Sequence, residues 1–177
     1  MLLLDTLSRL REGERFHSKV NLWKLMNGSS LEAAMILESL AVFCSGLFTG
    51  ASLYINLVEH PARMQCGPAL ALTEFAPSYK RAAVVQALLA ALGSLGAVAA
   101  WLSGSSLGWL IGGILLGAVI PFTLIVIFPT NKKLLDPVLA HDVPLTLQLL
   151  TRWGRLHAVR SCLSLASFVL FVFLRGA

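Results

Sequence analysis

The stretch that decides the fold is "LGWLIGGILLGAVIPFTLIVIF", residues 107–128, which contains no charged side chain. An apolar segment of about 20 residues crosses the ~30 Å hydrocarbon layer of a bilayer as a single helix. Three further predominantly apolar segments of similar length lie at residues 33–58, 82–102 and 156–174. The sequence therefore predicts four transmembrane helices.

The composition of the whole chain agrees with this interpretation. Of the 177 residues, 56% are hydrophobic and 13% are charged, and the mean hydropathy is +0.77. Soluble domains ordinarily carry about 25% charged residues. Most Lys and Arg of this chain, with its net charge of +5, flank the apolar segments, where they meet lipid headgroups. We expect an integral, multi-pass membrane protein that contacts lipids and does not bind nucleic acid.

The chain divides into an N-terminal amphipathic or interfacial segment, residues 1–30, and a four-helix transmembrane domain, residues 31–177. The hairpin "LSGSSLG", residues 102–108, is so short that the second and third spans must be antiparallel neighbours. A loop is expected from Glu59 to Tyr79. The predicted fold is an all-α, four-transmembrane-helix bundle with an N-terminal amphipathic segment and an extended last helix.

Two local features refine this fold. Asp142 and Pro144 are typical of a helix start, so the last helix is expected to begin well before its span. Pro121 removes the hydrogen bond to the carbonyl of Gly117, which predicts a kink or a local opening in the third span. That span also carries glycines at small-xxx-small spacing, which permits close helix contact and is the surface on which a homo-oligomer would form: Gly108, Gly112, Gly113 and Gly117.

The first span carries a polar stripe whose members are three, four or seven residues apart and so share one helical face: Glu38, Ser45, Thr49, Ser52, Asn56, and finally Glu59 and His60. Lipid does not accept such a face, which must point into the bundle. The hydroxyls are expected to form interhelical hydrogen bonds. Glu59 and His60 are candidates for a functional site and equally for a structural anchor.

The fourth span supplies a second polar face, formed by Trp153, His157, Arg160, Ser161 and Ser164. Arg160 lies inside an apolar segment, where an ionisable side chain is costly unless it is paired. Glu59, on the same side of the membrane, is the expected partner. The alternative is that Arg160 extends toward the headgroups.

Metal and cofactor sites have little support in the sequence. Two histidines and a carboxylate form the ligand set of non-haem iron, but HExxH and ExxH spacings are absent. Glu59 and His60 are neighbours and cannot easily face one ion. The three cysteines form no CxxC pair, and no nucleotide-binding glycine motif occurs. No cofactor and no metal site are predicted, and a transition metal at the histidines is the alternative left open.

Four motifs around the spans carry a family resemblance: "GLFTGASLYINLVEHPAR", "FAPSYKRAAVVQ", "PFTLIVIFPTNKKL" and "RWGRLHAVRS". Together they resemble the anthrone oxygenase family, small integral membrane proteins that include noranthrone monooxygenases of polyketide pathways. The resemblance covers residues 41–174. It implies a cofactor-independent monooxygenase that uses O₂ as co-substrate to oxidise a small, apolar aromatic compound.

The resemblance also assigns roles to residues within its motifs. The catalytic candidates are Glu59, His60, His157 and Arg160. The substrate-binding candidates are Asn56, Arg63, Tyr79, Arg81, Asn131 and Trp153. In this scheme a histidine, His60 or His157, removes a proton from the substrate. Arg160, Asn131 and the indole N–H of Trp153 are the expected oxyanion donors.

Two other functions compete with the oxygenase. A non-catalytic membrane scaffold or lipid-binding protein would use the same motifs to lock the helices together, with the side chains packed directly and no void between them. An enzyme should instead have an apolar pocket lined by His60, His157 and Arg160. A transporter or channel is less well supported, since no span has a repeated charge pattern.

Overall fold

The computed structural model describes residue 28 and residues 30–136, 139 and 142–176. Four helices are long and apolar enough to cross a membrane: α1 (Ser30–Gln65), α2 (Pro68–Leu102), α3 (Leu107–Leu134) and α4 (Val143–Gly176). No β-strand occurs within the described ranges. The predicted all-α, four-helix bundle is confirmed. The N-terminal segment lies, apart from residues 28 and 30, outside the described residues, and the division of the chain at residue 30 stays a prediction.

The outer surface of the bundle is apolar. Leu102, Ile125 and Phe173 are each more than two-thirds exposed, and many other Leu, Ile and Val side chains also face outward. Soluble monomers rarely expose contiguous apolar patches of such extent. Hydrocarbon chains of a bilayer would cover this surface without cost, as expected of transmembrane helices.

The predicted loop from Glu59 to Tyr79 is wrong. The chain stays helical to Gln65, turns at Cys66 and Gly67, and becomes helical again at Pro68. Gly67 has a φ of 87°, a left-handed conformation that glycine adopts at little cost. Pro68 stands in the first turn of α2, where no backbone N–H is needed. A two-residue reversal thus replaces the loop and brings the end of α1 against the start of α2.

Two helices widen locally into π-helical turns, at Ile55–Glu59 in α1 and Thr123–Ile127 in α3. Each turn ends two residues before a proline, Pro61 or Pro129. A proline clashes with the carbonyl four residues earlier, and a wider turn relieves this clash. The third span therefore opens before Pro129 and not at Pro121, where the prediction placed it, since the chain stays α-helical through Phe122. Such turns are frequent at functional sites.

The short hairpin makes α2 and α3 antiparallel neighbours, as predicted. The hydroxyl of Ser94 donates a hydrogen bond of 2.8 Å to the carbonyl of Gly113. A Cβ atom at Gly117 would lie 2.7 Å from Ser94 Oγ, and one at Gly112 would collide with Phe171. The α3 glycines thus pack against other helices of the same chain. Their spacing is therefore no longer a reason to expect a homo-oligomer interface on this face. Self-association itself stays a prediction.

The last helix begins where the sequence predicted. Asp142 Oδ1 accepts a hydrogen bond of 3.0 Å from the backbone N–H of Leu145, the usual N-capping arrangement. The helix then runs to Gly176 and is longer than its apolar span. Near its end, Arg175 forms an ion pair of 2.9 Å with Glu38 of α1. Glu38 also accepts a 2.8 Å hydrogen bond from Ser105 of the hairpin, so this contact joins three parts of the bundle.

Candidate functional site

The polar stripe of α1 points into the bundle, as predicted. Ser45, Thr49 and Ser52 are buried, and Asn56 reaches across to α4. The stripe ends beside an internal cavity of about 200 Å³ that all four helices line. In other proteins an apolar cavity of roughly 150 Å³ holds a benzene molecule. The cavity therefore has room for an aromatic ligand.

Small side chains on α2 create much of this space. One face of α2 contributes four alanines to the cavity wall: Ala82, Ala83, Ala87 and Ala90. The π-helical turn of α3 lines the opposite wall through Thr123, Leu124 and Ile127. Ala87 and Leu124 are also exposed at the outer surface. The cavity thus reaches the apolar exterior between α2 and α3.

Asn56 fixes the orientation of His157. The side-chain amide of Asn56 donates to the carbonyl of Gly154 at 3.2 Å, so its oxygen faces the other way. That oxygen lies 2.7 Å from His157 Nδ1 and 2.6 Å from Ser161 Oγ. His157 therefore carries its proton on Nδ1 and presents the lone pair of Nε2 toward the cavity side, where Arg160 Nη2 lies 3.2 Å away.

Arg160 has a different partner from the one expected. Its guanidinium donates a hydrogen bond to the side-chain oxygen of Gln86 on α2 and lies 5.1 Å from the ring centre of Phe48. The predicted pairing with Glu59 is wrong, because Glu59 is held by Arg63 one helical turn later. Sequence reasoning missed Gln86, the one amide side chain in the apolar second span.

Four side chains form a cage around Arg63, which lies near the turn between α1 and α2. It forms ion pairs with Glu59 and Glu74. Its guanidinium carbon lies 5.7 Å from the ring centres of both Phe75 and Trp153. Two carboxylates and two aromatic rings thus hold this arginine in place, and it lines the cavity.

His60 does not line the cavity, so the expectation of a pocket with both histidines in its wall is wrong. The indole of Trp153 packs against both imidazoles, with ring centres 5.2 Å from His60 and 4.8 Å from His157. His60 is buried on the far side against Gly154, where a Cβ atom would lie 2.5 Å from His60 Nε2. A glycine at position 154 is what allows the imidazole to pack there.

The remaining candidates divide in the same way. Asn131 is 1% exposed and lines the cavity, and neither atom of its amide has a hydrogen-bond partner among the residues that the structure describes. Tyr79 lines the cavity and stacks on Phe75 at 5.7 Å. Arg81 is exposed and lies outside the cavity wall, so its position gives no support to the predicted role in substrate binding.

No group of three or more His, Cys, Asp or Glu side chains gathers in a metal-binding arrangement within the described part of the chain. His60 and His157 each pack against the Trp153 indole, and Glu59 is engaged by Arg63 and by the hydroxyl of Ser78 at 2.9 Å. The side chains that could have formed the histidine–carboxylate set are thus occupied by other contacts.

The fold and the cavity define a class: a membrane protein of four transmembrane helices around an apolar cavity, whose wall holds polar atoms without hydrogen-bond partners among the described residues. Comparison with protein families narrows this class, since the anthrone oxygenase family model matches residues 75–170. The chain belongs to the anthrone oxygenase family. The match includes the motifs of the later three spans and begins after the first-span motif. No curated protein and no solved structure matches the chain.

Proposed function

We propose that this protein is a multi-pass membrane oxygenase that oxidises a planar, apolar aromatic compound with O₂ inside the cavity. The observation that carries the proposal is Asn131, a fully buried amide in the wall of an apolar cavity with no partner among the described residues. A buried polar group without a partner costs about 1–3 kcal/mol. A ligand oxygen in the cavity would satisfy it. Membership of the anthrone oxygenase family supports an oxygenase-type reaction.

The reaction needs no electron source beyond the substrate. An anthrone has a methylene carbon between two aromatic rings, and loss of one proton gives an electron-rich enolate. The enolate transfers an electron to O₂, and the resulting radicals combine to form a carbon–oxygen bond. Cleavage of the O–O bond, with loss of the second hydrogen, leaves a carbonyl. One oxygen atom stays in the product, and the other leaves with both hydrogens as water.

His157 is the base that this geometry favours, because it lines the cavity and His60 does not. Its Nε2 lone pair accepts a hydrogen bond from Arg160, so it can take up a proton only when the guanidinium moves away. A developing oxyanion on the substrate would draw Arg160 toward itself. Base activation and oxyanion stabilisation are therefore coupled in this proposal.

The other residues of the cavity hold the substrate. Asn131 and the indole of Trp153 offer further donors to the oxyanion, and Tyr79 contributes an aromatic wall. His60 is assigned a positioning role, since it supports Trp153 from behind. Glu59 also lines the cavity but is bound by Arg63, which makes it a structural anchor of that arginine.

The scaffold hypothesis explains part of the site but not all of it. The cage around Arg63 does join α1 to α2 by direct contacts. A non-catalytic scaffold, however, should have these side chains packed directly with no void, and a cavity of about 200 Å³ lies among them. The cavity and the family match favour a ligand-binding enzyme.

The test is oxidation of an anthrone by protein reconstituted in liposomes, with the rate in empty liposomes subtracted. Asn131→Leu keeps the side-chain size but removes both polar atoms, and we expect kcat to fall about 10²–10³-fold, as for loss of an oxyanion donor. Arg81→Gln, an exposed position outside the cavity, is the matched control and should keep the wild-type rate. Equal rates for Asn131→Leu and the wild type would refute the proposal.

A further inference from the structure

Arg160 is a buried cation whose immediate neighbours are all neutral. It is 8% exposed, and its contacts are the amide oxygen of Gln86, the imidazole of His157 and the ring of Phe48. No ion pair joins Arg160 to a carboxylate within the described ranges, whereas Arg63 has two. A guanidinium stays charged in proteins. The inner part of the cavity therefore carries an uncompensated positive charge.

Such a charge is costly in an apolar interior unless an anion pairs with it. The Nε–H of Arg160 is buried and has no hydrogen-bond partner among the described residues. The amide of Asn131, in the same cavity wall, is unpartnered as well. Arg63, which also lines the cavity, has an unpartnered Nη1 as well, so donors from three helices are unused there among the described residues.

We propose that the cavity prefers aromatic ligands with an anionic oxygen, such as the enolate left when His157 takes the substrate proton. That oxygen lies on Arg160, and Gln86 determines this specificity. Gln86 supports the guanidinium with a neutral acceptor. A glutamate of the same length would supply a carboxylate and neutralise the arginine. This inference shares one premise with the proposed function, namely that the ligand binds in the cavity.

Gln86→Glu separates this role from a structural one. The substitution keeps the acceptor and adds the missing charge, so the ion pair it creates should preserve the melting temperature. The same ion pair should remove the attraction for an anionic ligand. A residue with a purely structural role would not change the charge preference of the cavity.

The probes are 2-naphthoate and 2-naphthamide, which share a planar two-ring body and differ in charge. Their dissociation constants are measured by calorimetry on the full chain in nanodiscs, with empty nanodiscs as the blank. We expect wild type to bind the carboxylate at least about tenfold more tightly than the amide, the factor that one charge-assisted hydrogen bond supplies. Gln86→Glu should bring the two constants close to equality.

Two further comparisons keep the test decisive. Gln148→Glu places the same new charge at an exposed position of α4 outside the cavity and should retain the wild-type preference. Arg160→Lys should retain most of the preference, and Arg160→Met should lose it while filling the same space. The two Arg160 variants therefore show whether this arginine causes the preference for the carboxylate, even if Gln86→Glu does not fold.

The inference is overturned if wild type binds both probes equally or binds neither. It is also overturned if Gln86→Glu and Arg160→Met both keep the preference for the carboxylate. Because no oxidation occurs in this measurement, its failure leaves the oxygenase assay unaffected. Loss of anthrone oxidation with an intact naphthoate preference would refute the oxygenase alone.

Discussion

Gly154→Ala tests how His60 and Trp153 are held behind the cavity. The new Cβ would lie 2.5 Å from His60 Nε2 and 2.7 Å from His60 Cδ2, closer than real Cβ contacts allow. The imidazole is 9% exposed and backs onto Trp153, so it has little room to retreat. Overpacking a buried site costs about 1–3 kcal/mol.

Against this cost stands the higher helix propensity of alanine, which contributes about 0.5–1 kcal/mol in a helix interior. We therefore expect Gly154→Ala to lower the free energy of unfolding by roughly 1–2 kcal/mol. The displaced indole should also lower the rate of anthrone oxidation. Stability is followed by the loss of helicity of the purified protein during SDS titration.

Gly50→Ala is the matched control, because a Cβ atom at Gly50 meets nothing within 4 Å. Only the propensity gain applies there, so this variant should be as stable as wild type or slightly more stable. If Gly154→Ala proved as stable and as active as Gly50→Ala, the packing of His60 against α4 would be incorrect.

Three further substitutions follow from the same contacts. Asn56→Leu removes the acceptor of His157 Nδ1 and of Ser161 Oγ. We expect a loss of about 1–3 kcal/mol in unfolding free energy, because a buried donor is left without an acceptor, and wild-type stability would contradict these hydrogen bonds. Ala87→Phe narrows the opening of the cavity between α2 and α3, so it should lower kcat/KM for an anthrone. Val84→Phe, at an exposed position of the same helix outside the cavity, should leave kcat/KM unchanged. Equal kcat/KM values for the two variants would show that the substrate enters elsewhere. Gly112→Ala brings a Cβ atom against Phe171 and should destabilise the bundle by about 1–3 kcal/mol in SDS titration, and wild-type stability would show that α3 and α4 are not in close contact there.

Much of the fold could be predicted from the sequence because hydrophobicity determines it directly. Four apolar segments and one minimal hairpin are enough to specify an antiparallel bundle. The inward direction of the α1 stripe follows from the same cost of exposing polar groups to lipid. The start of α4 at Asp142 was visible because capping is a local interaction.

The errors concern the connection after α1 and the partners of Glu59 and Arg160. A loop is expected after α1, yet Gly67 and Pro68 instead produce a tight reversal between helices. This reversal brings Glu74 beside Arg63, and the ion pairs with Arg63 draw Glu59 away from Arg160. No periodicity within one helix reports which partner a charge finds on another.

The sequence therefore predicted which residues form the candidate site better than it predicted how they contact one another. Arg160, His157 and Asn131 do line one cavity. The exclusion of His60 depends on the position of the Trp153 indole and on the space at Gly154, which are results of packing. Gln86 gave no signal because a single glutamine in an apolar helix is equally consistent with a simple interhelical hydrogen bond.

Oxidation of an aromatic substrate by O₂ in this cavity can be followed with isotopically labelled oxygen. The measurement is the rate at which ¹⁸O₂ labels the new carbonyl of anthraquinone formed from anthrone, in liposomes with and without the protein. We expect one labelled oxygen per product molecule, at a rate far above that of empty liposomes. An unlabelled product, or a rate equal to that of empty liposomes, would show that the protein is not the oxygenase proposed.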